Sequence, residues 1–138
     1  MSVRLAIHMG VCAAVLGVLV ALGARAETPS GAGAADRAAI RRDDGVAAFS
    51  LASPSIRRMF ETPDIFMDMV RRGYQAVYRP RSLEFRDLEE AEGKIVQPVF
   101  VVGPDNVAVL ALYVMQRQPD GAWLIDGCYL VPARDKAA

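Results

Sequence analysis

Adjacent carboxylates at Asp43 and Asp44 are the first side chains in this chain whose type and position could do chemistry. Helical spacing places at least one of them at the border of an apolar stripe. A carboxylate at the mouth of an apolar cavity has a raised pKa and can act as a general base. The other interpretation is that one carboxylate caps a backbone break at Gly45, while the second is solvated or paired with Arg41 or Arg42.

Tyr113 and Asp126 form a second candidate pair, because both lie in predicted strands. Strand alternation places Asp126 on the same face as Cys128 and other apolar neighbours. An acid in such surroundings needs a partner or a water-filled pocket. Asp126 and Tyr113 therefore line a ligand cavity, or Asp126 bonds to an arginine of a neighbouring helix such as Arg57.

Trp123 is a third candidate. Alternation puts it on the opposite face, together with Ile125 and Tyr129. Aromatic side chains at this spacing belong to a core, to a partner surface or to a site that stacks a ligand.

Cysteine usage leaves one thiol to consider. Cys12 lies in the apolar N-terminal segment, and Cys128 is the other cysteine of the chain. A free cysteine is most often a small buried hydrophobic residue. The alternative is an exposed thiol that is redox-active or cross-links two chains.

The N-terminal segment predicts export. Arg4 precedes an apolar run of about 14 residues, shorter than the roughly 20 that a helix needs to span a bilayer. Small residues at Ala24 and Ala26 then provide an A-x-A cleavage site. We therefore expect residues 1–26 to be a cleavable signal peptide, with the mature protein periplasmic or secreted and without a stable membrane span.

Composition excludes several functions for the mature chain. After cleavage, 14 basic and 16 acidic residues remain, which gives no electrostatic reason to bind nucleic acid. His8, the one histidine, leaves with the leader. Ser-His and Cys-His nucleophiles are then excluded, and no metal ion or cofactor is expected.

The helices are predicted to come first. Residues 27–35 are small and glycine-rich, which indicates a flexible linker. One helix is expected over residues 36–51 with Asp36 as its N-cap. Ser53 and Thr62, each followed by proline, predict the starts of two further helices.

Strands follow. Alternation at 83–85, an acidic turn at 89–93 and apolar runs at 94–102, 107–115 and 123–131 predict three or four antiparallel strands joined by short turns. Pro98 requires an edge or a bulge. We therefore expect one α+β domain over residues 36–132, with helices packed on a curved antiparallel sheet, and a disordered tail over 133–138.

Three segments and Tyr113 resemble a family of small secreted bacterial proteins catalogued as a domain of unknown function. The segments are 43–57, 66–80 and 120–128, and the resemblance spans residues 36–131. More distantly, the helix order and the closing Asp-Gly-x-Trp hairpin resemble the cystatin-like fold of nuclear transport factor 2. That superfamily includes isomerases, dehydratases, lipid carriers and non-catalytic binding modules, so the resemblance implies no catalytic residue here.

These observations predict a non-catalytic periplasmic binding or accessory module. It would take a small apolar ligand or an envelope protein, in a sheet-lined cavity or on the exposed sheet face, and a homodimer is left open. One alternative is a small acid–base enzyme of isomerase or dehydratase type that uses Asp43 or Asp44. Another is a redox-sensitive dimer through Cys128. The candidate ligand-binding residues are Asp43, Asp44, Tyr113, Trp123 and Asp126.

Overall fold

Five helices precede five strands in the computed structural model, which describes residues 26–133. The helices are α1 (Pro29–Arg41), α2 (Gly45–Ser50), α3 (Pro54–Phe60), α4 (Pro63–Gly73) and α5 (Gln75–Tyr78). The strands are β1 (Ser82–Phe85), β2 (Glu89–Ala91), β3 (Lys94–Val102), β4 (Ala108–Arg117) and β5 (Trp123–Pro132). Within this part of the chain, no helix has the length and apolar character needed to cross a membrane. The predicted leader and tail lie outside the described residues, except for Ala26 and Ala133.

A hydroxyl residue followed by proline begins three of the helices. Thr28, Ser53 and Thr62 each precede a proline in the first helical turn. Each hydroxyl accepts a hydrogen bond from the backbone N–H three residues on, at 2.9, 3.3 and 3.2 Å. These bonds satisfy amide groups that the helix itself leaves unpaired. The helix starts predicted at Ser53 and Thr62 are confirmed.

The predicted linker over residues 27–35 is wrong, because most of it forms the first turns of α1. The Ser30 hydroxyl donates to the side chain of Gln97 on β3 at 2.6 Å. Gly33 lies where a Cβ would come within 3.3 Å of an aromatic ring of β1. The small residues thus let the helix approach the sheet closely, which composition alone does not distinguish from a flexible segment.

The single helix predicted over residues 36–51 is also wrong. Asp36, expected as its N-cap, lies within α1 and is buried. The chain then breaks at Asp43, whose φ is +54°. Asp44 caps α2, because its carboxylate accepts a hydrogen bond from the Ala47 N–H at 3.1 Å.

All pairs of neighbouring strands are antiparallel, in the order β1-β3-β4-β5. β2 pairs with the start of β3, and β1 pairs with its end. Pro98 lies between these two stretches, so its missing N–H interrupts neither ladder. The predicted antiparallel strands joined by short turns are confirmed. The acidic segment expected as a turn at 89–93 instead begins with β2, so the described chain forms five strands and not the three or four expected.

A β-bulge at Asp126 decides which side chains of β5 face the helices. The register with β4 shifts there, so that Asp126 has no partner on β4. Trp123 and Ile125 therefore share the helix-facing side with Cys128, and the alternation predicted for them is wrong. Such an insertion bends the strand and increases its local twist.

The core lies between the helices and one face of the sheet. Many of its buried members come from α1, from α4 and from the inward positions of β3 and β4: Ala32, Ile40, Met67, Val70, Val99, Val101, Ala111 and Met115. Helices packed on one face of an antiparallel sheet confirm the α+β class. The cystatin-like assignment stays a prediction.

Candidate functional site

A cavity of about 420 Å³ opens between the helices and the middle of β4 and β5. Apolar side chains of α3 and α4 form much of its wall: Ile56, Met59, Phe60, Phe66, Met69 and Val70. Six residues with polar or titratable side chains also border it: Asp36, Tyr74, Tyr113, Asp126, Cys128 and Tyr129. The lining is thus that of a small-molecule site, with few polar groups in apolar surroundings.

Two exposed residues mark the mouth of this cavity. Met59 on α3 is 69% exposed and Tyr129 on β5 is 63% exposed, yet both border the cavity. Large apolar side chains that are both exposed and adjacent to a cavity are suited to contact a ligand as it enters.

Asp36 is the carboxylate that α1 presents to the cavity. Its side chain makes no hydrogen bond and no ion pair with the residues described, and the residue is only 4% exposed. Burial raises the pKa of this carboxyl from an ordinary 3.8 to about 7, and the neighbouring Arg37 guanidinium opposes the rise. Asp36 therefore changes its charge close to neutral pH.

Tyr113 borders the cavity, and Arg37, which does not border it, lies next to Tyr113. The Tyr113 hydroxyl and the Nε and Nη1 atoms of Arg37 are buried and have no hydrogen-bond partner within residues 26–133. Burial, and then the neighbouring Cys128 and Asp36, raise the pKa of the Tyr113 phenol well above its ordinary value. The phenol therefore stays protonated and can donate a hydrogen bond at any physiological pH.

Cys128 faces Tyr113 across the β4–β5 ladder. Burial, and then the charge of Asp36, raise the pKa of its thiol to about 12. Reaction with oxidants and disulfides needs the thiolate, so this environment opposes the redox function considered for Cys128.

Asp126 borders the cavity on the bulge of β5, as one of its two interpretations predicted. Its carboxylate accepts a hydrogen bond from Ser53 at 2.6 Å, and not from the arginine expected in the other interpretation. Ser53 is fully buried, and its N–H donates to the Ile125 carbonyl at 2.8 Å. The bulge thus fixes the start of α3 against the sheet.

Tyr74 is a cavity residue that sequence reasoning missed. Its hydroxyl donates to the Cys128 carbonyl at 2.9 Å, which ties the end of α4 to β5. Burial raises the pKa of this phenol, and Cys128 and Tyr129 raise it further. The apolar stripe at 66, 69, 70 and 74 was the signal that could have placed it inward.

The structure places Asp43 and Asp44 away from the cavity. The Asp43 carboxylate accepts from the Tyr78 hydroxyl at 2.6 Å and pairs with Arg71 and Arg79. The Tyr78 hydrogen bond, with these two arginines, lowers the pKa of Asp43. Asp44 caps α2, as one interpretation predicted, and it also lies 3.7 Å from Arg42. The pairing of the other carboxylate with Arg41 or Arg42 is wrong, because Asp43 pairs with Arg71 and Arg79 instead.

Trp123 packs against the core at the start of β5 and does not border the cavity. Among the five predicted ligand-binding residues, the structure thus brings Tyr113 and Asp126 to one cavity and leaves out Asp43, Asp44 and Trp123.

Asp36 was missed as a site residue because it was assigned to a helix cap. Its spacing from Ala32 and Ile40, four residues to either side, was the available signal. Within residues 26–133, no group of three or more His, Cys, Asp or Glu side chains could hold a metal ion.

Fold and site together define an α+β protein with an apolar cavity that encloses a small cluster of polar groups. The chain belongs to the family described as a domain of unknown function (DUF4864), whose sequence profile matches residues 34–138. No curated protein and no solved structure matches the chain.

Proposed function

We propose that this protein is a non-catalytic binding module that holds one small, mostly apolar ligand in the cavity between its helices and its sheet. The observation that carries the proposal is the cavity of about 420 Å³, bordered by side chains of α1, α3, α4, β4 and β5. Small-molecule sites in proteins span about 300–1,000 Å³ and have this kind of apolar lining.

Asp36 supports a binding role as well. A buried carboxylate without a hydrogen bond destabilises the fold, and a core residue of similar size would avoid that penalty. Groups with strongly shifted pKa values cluster at functional sites. The position of Asp36 at the cavity wall agrees with a function there.

Export is part of the same proposal. The charged start, apolar run and A-x-A site of residues 1–26 support a periplasmic or secreted location. We expect protein recovered from the envelope fraction to begin near Glu27. N-terminal sequencing tests this, and recovered protein that retains Met1 would contradict it.

Fluorescence titration with phenylnaphthylamine, a neutral apolar probe, tests the cavity directly. We expect saturable binding at one site, with enhanced emission as the probe leaves water. Ile56→Trp fills the cavity from α3 and should weaken probe binding by about tenfold or more, since the added ring occupies the ligand's space.

Ile65→Trp is the matched control. Ile65 lies on the neighbouring helix α4, is 52% exposed and does not border the cavity. This variant should bind the probe like the wild type. Absence of saturable binding, or equal affinity in the two tryptophan variants, would contradict the proposal.

An acid–base enzyme is the second candidate, and one observation favours it. Asp36, with its pKa near 7, and the protonated Tyr113 border the same apolar cavity. A base near neutral pH beside a phenol donor can remove a proton next to a carbonyl group. Deuterium uptake from D2O into a long-chain methyl ketone, lost in Asp36→Asn, would support this function.

A further inference from the structure

A second pocket, of about 710 Å³, lies beside the C-terminal half of α1 and shares no lining residue with the apolar cavity. The end of α5 and the start of β1 complete its wall. Five of the ten residues that border this arginine pocket are Arg37, Arg41, Arg42, Arg79 and Arg81. No aspartate or glutamate of the described chain borders it. Positive charge from three segments thus meets in one concave site.

Two of these arginines already have partners in the protein. Arg79 donates to the Ile40 carbonyl at 3.2 Å and forms an ion pair with Asp43. Arg42 lies 3.7 Å from Asp44, and the two side chains are 61% and 43% exposed. An exposed ion pair contributes little to stability and competes weakly with a bound anion. Arg79 therefore shapes the wall, whereas Arg42 is available to a ligand.

Arg41 and Arg81 have no partner. Both are exposed, and neither side chain makes a hydrogen bond or an ion pair with another residue in the part of the chain from 26 to 133. An arginine in the last turn of a helix complements the helix dipole, which accounts for Arg41. It does not account for Arg81, which lies between α5 and β1 and faces the same pocket.

Arg37 adds a buried charge to the same wall. The residue is 7% exposed, and its Nε and Nη1 atoms have no hydrogen-bond partner among the described residues. Its neighbour in sequence, Asp36, has a pKa raised by burial to about 7, so at neutral pH this carboxyl cancels the Arg37 charge only in part. Charge that is shielded from water acts more strongly on a nearby ion than charge at the surface. Arg37 thus favours an anion in the pocket without having to touch it.

We propose that the arginine pocket is a second binding site, which takes a phosphomonoester group, the chemistry shared by small soluble phosphates and by a lipid with a terminal phosphate. A phosphomonoester carries about −1.5 to −2 charges at pH 7 and three acceptor oxygens. Guanidinium groups donate to such oxygens two at a time. Arg41 and Arg81 would bind the phosphate from opposite sides, Arg42 and the Ser82 hydroxyl would add donors, and Arg37 would add charge from below.

The number of arginines favours a doubly charged group over a carboxylate or a sulfate ester. A single negative charge neutralises one guanidinium and leaves the others to repel one another. The pocket is also within the size range of small-molecule sites, about 300–1,000 Å³, so it suits a phosphate with a small organic group attached.

Methyl phosphate and methyl sulfate form a matched pair of probes, because they have nearly the same shape and differ in charge. Each is titrated into the whole protein by calorimetry at pH 7.5, where methyl phosphate is mostly a dianion and every arginine stays charged. We expect methyl phosphate to bind at one site per chain, at least about tenfold more tightly than methyl sulfate, and to bind more weakly as salt is added.

Two variants assign the binding to named residues. Arg41→Gln and Arg81→Gln should each weaken methyl phosphate binding about tenfold, since each removes a charged donor. Neither side chain has a partner in the described chain, so both variants should keep the wild-type unfolding temperature. Arg57→Gln is the matched control: Arg57 is exposed on α3, borders neither pocket, and its loss should leave methyl phosphate binding unchanged.

Vesicles separate the two sources of the phosphate. Phosphatidylcholine vesicles that contain phosphatidic acid present a lipid phosphomonoester, and vesicles with phosphatidylglycerol present a phosphodiester. Cosedimentation with the first but not the second, lost in Arg81→Gln, would assign the pocket to a lipid headgroup. Methyl phosphate binding without cosedimentation would assign it to a soluble phosphate.

Three results would overturn the inference. They are the absence of saturable methyl phosphate binding, equal affinity for methyl phosphate and methyl sulfate, and equal weakening by Arg41→Gln and Arg57→Gln. The arginine pocket and the apolar cavity share no lining residue, so these results leave phenylnaphthylamine binding untouched. Failure of phenylnaphthylamine to bind would likewise leave the phosphate site standing.

Discussion

At the scale of single residues, Asp36 makes the folded state sensitive to pH. The folded protein holds the Asp36 proton up to about pH 7, whereas the unfolded chain releases it near 3.8. Between these values unfolding releases a proton, so stability falls as pH rises. Asp36→Asn removes the ionisation and should stabilise the protein at pH 8 by up to about 4 kcal/mol, an order-of-magnitude figure from the shift in pKa.

Urea denaturation at pH 5 and pH 8 measures this difference. The stabilisation by Asp36→Asn should already be about 1.5 kcal/mol at pH 5, which lies above the unfolded value of 3.8, and should rise to about 4 kcal/mol at pH 8. Asp68→Asn, which removes an exposed carboxylate paired with Arg72 on α4, is the control and should change stability by about 0.5 kcal/mol or less. A constant difference between wild type and Asp36→Asn across this pH range would contradict the assignment.

The Cys128 thiol is expected to be unreactive in the folded protein. Because burial raises its pKa to about 12, the thiolate is a very small fraction at pH 8. Labelling by an aromatic disulfide reagent should be at least about a hundredfold slower in the folded protein than in urea. Mass spectrometry assigns the label to Cys128, and rapid labelling of the folded protein would restore the redox-sensitive dimer as a candidate.

At the scale of the elements, Ser53 connects α3 to the sheet. It caps α3, donates to Asp126 at 2.6 Å and is fully buried. Ser53→Ala removes the cap and leaves the Asp126 carboxylate without this donor. We expect a loss of about 2 kcal/mol in the free energy of unfolding, the sum expected for a helix cap and a hydrogen bond to a charged group.

Ser55→Ala is the matched control for this prediction. Ser55 lies two residues along in the same helix and is exposed. Its substitution should change the free energy of unfolding by less than about 0.5 kcal/mol. Equal effects of the two substitutions in thermal or urea unfolding would show that the Ser53–Asp126 bond contributes nothing specific.

The starts of the helices show how far the sequence predicts this fold. The Ser-Pro and Thr-Pro signatures at Ser53 and Thr62 predicted α3 and α4, and the same signature at Thr28 begins α1. The glycine-rich composition of residues 27–35 predicted a linker there instead. The small residues are needed because α1 lies close to the sheet, and that contact is a tertiary property that no local pattern reports.

The candidate site was predictable in part, for a similar reason. Tyr113 and Asp126 were found because polar side chains in apolar strands need an explanation. Asp36 was missed because the helix register depends on where α1 begins. Trp123 was assigned to the wrong face because a one-residue bulge at Asp126 reverses the alternation, and bulges leave little signal in the sequence.

At the scale of the whole molecule, the outer face of the sheet has no helix packed against it. The outward positions of β3 and β4 between residues 96 and 114 carry no charged side chain. Half-buried or exposed apolar residues on this face are Phe100, Leu110, Leu112, Val114, Tyr129 and Val131. None of them belongs to the core cluster under the helices. Monomeric proteins seldom expose an apolar face of this extent.

A second copy of the chain is the partner we propose for this face. A two-fold axis would place the same apolar side chains on both sides of the contact, with Arg86, whose guanidinium lies over the Phe100 ring, at the border of the face. We expect sedimentation equilibrium at tens of micromolar to give twice the chain mass. Leu112→Asp, at the centre of the face on β4, should raise the dissociation constant at least about a hundredfold, because it buries an unpaired carboxylate in the contact.

Leu88→Asp makes the same substitution in the loop between β1 and β2, where Leu88 is 45% exposed, and should leave the dimer intact. A wild-type protein that sediments as a monomer would contradict self-association through this face.

Tyr129 belongs both to this face and to the mouth of the cavity. Pairing would therefore cover one side of the mouth, and we expect phenylnaphthylamine to leave the Leu112→Asp monomer faster than it leaves the wild-type dimer, as measured by stopped-flow fluorescence.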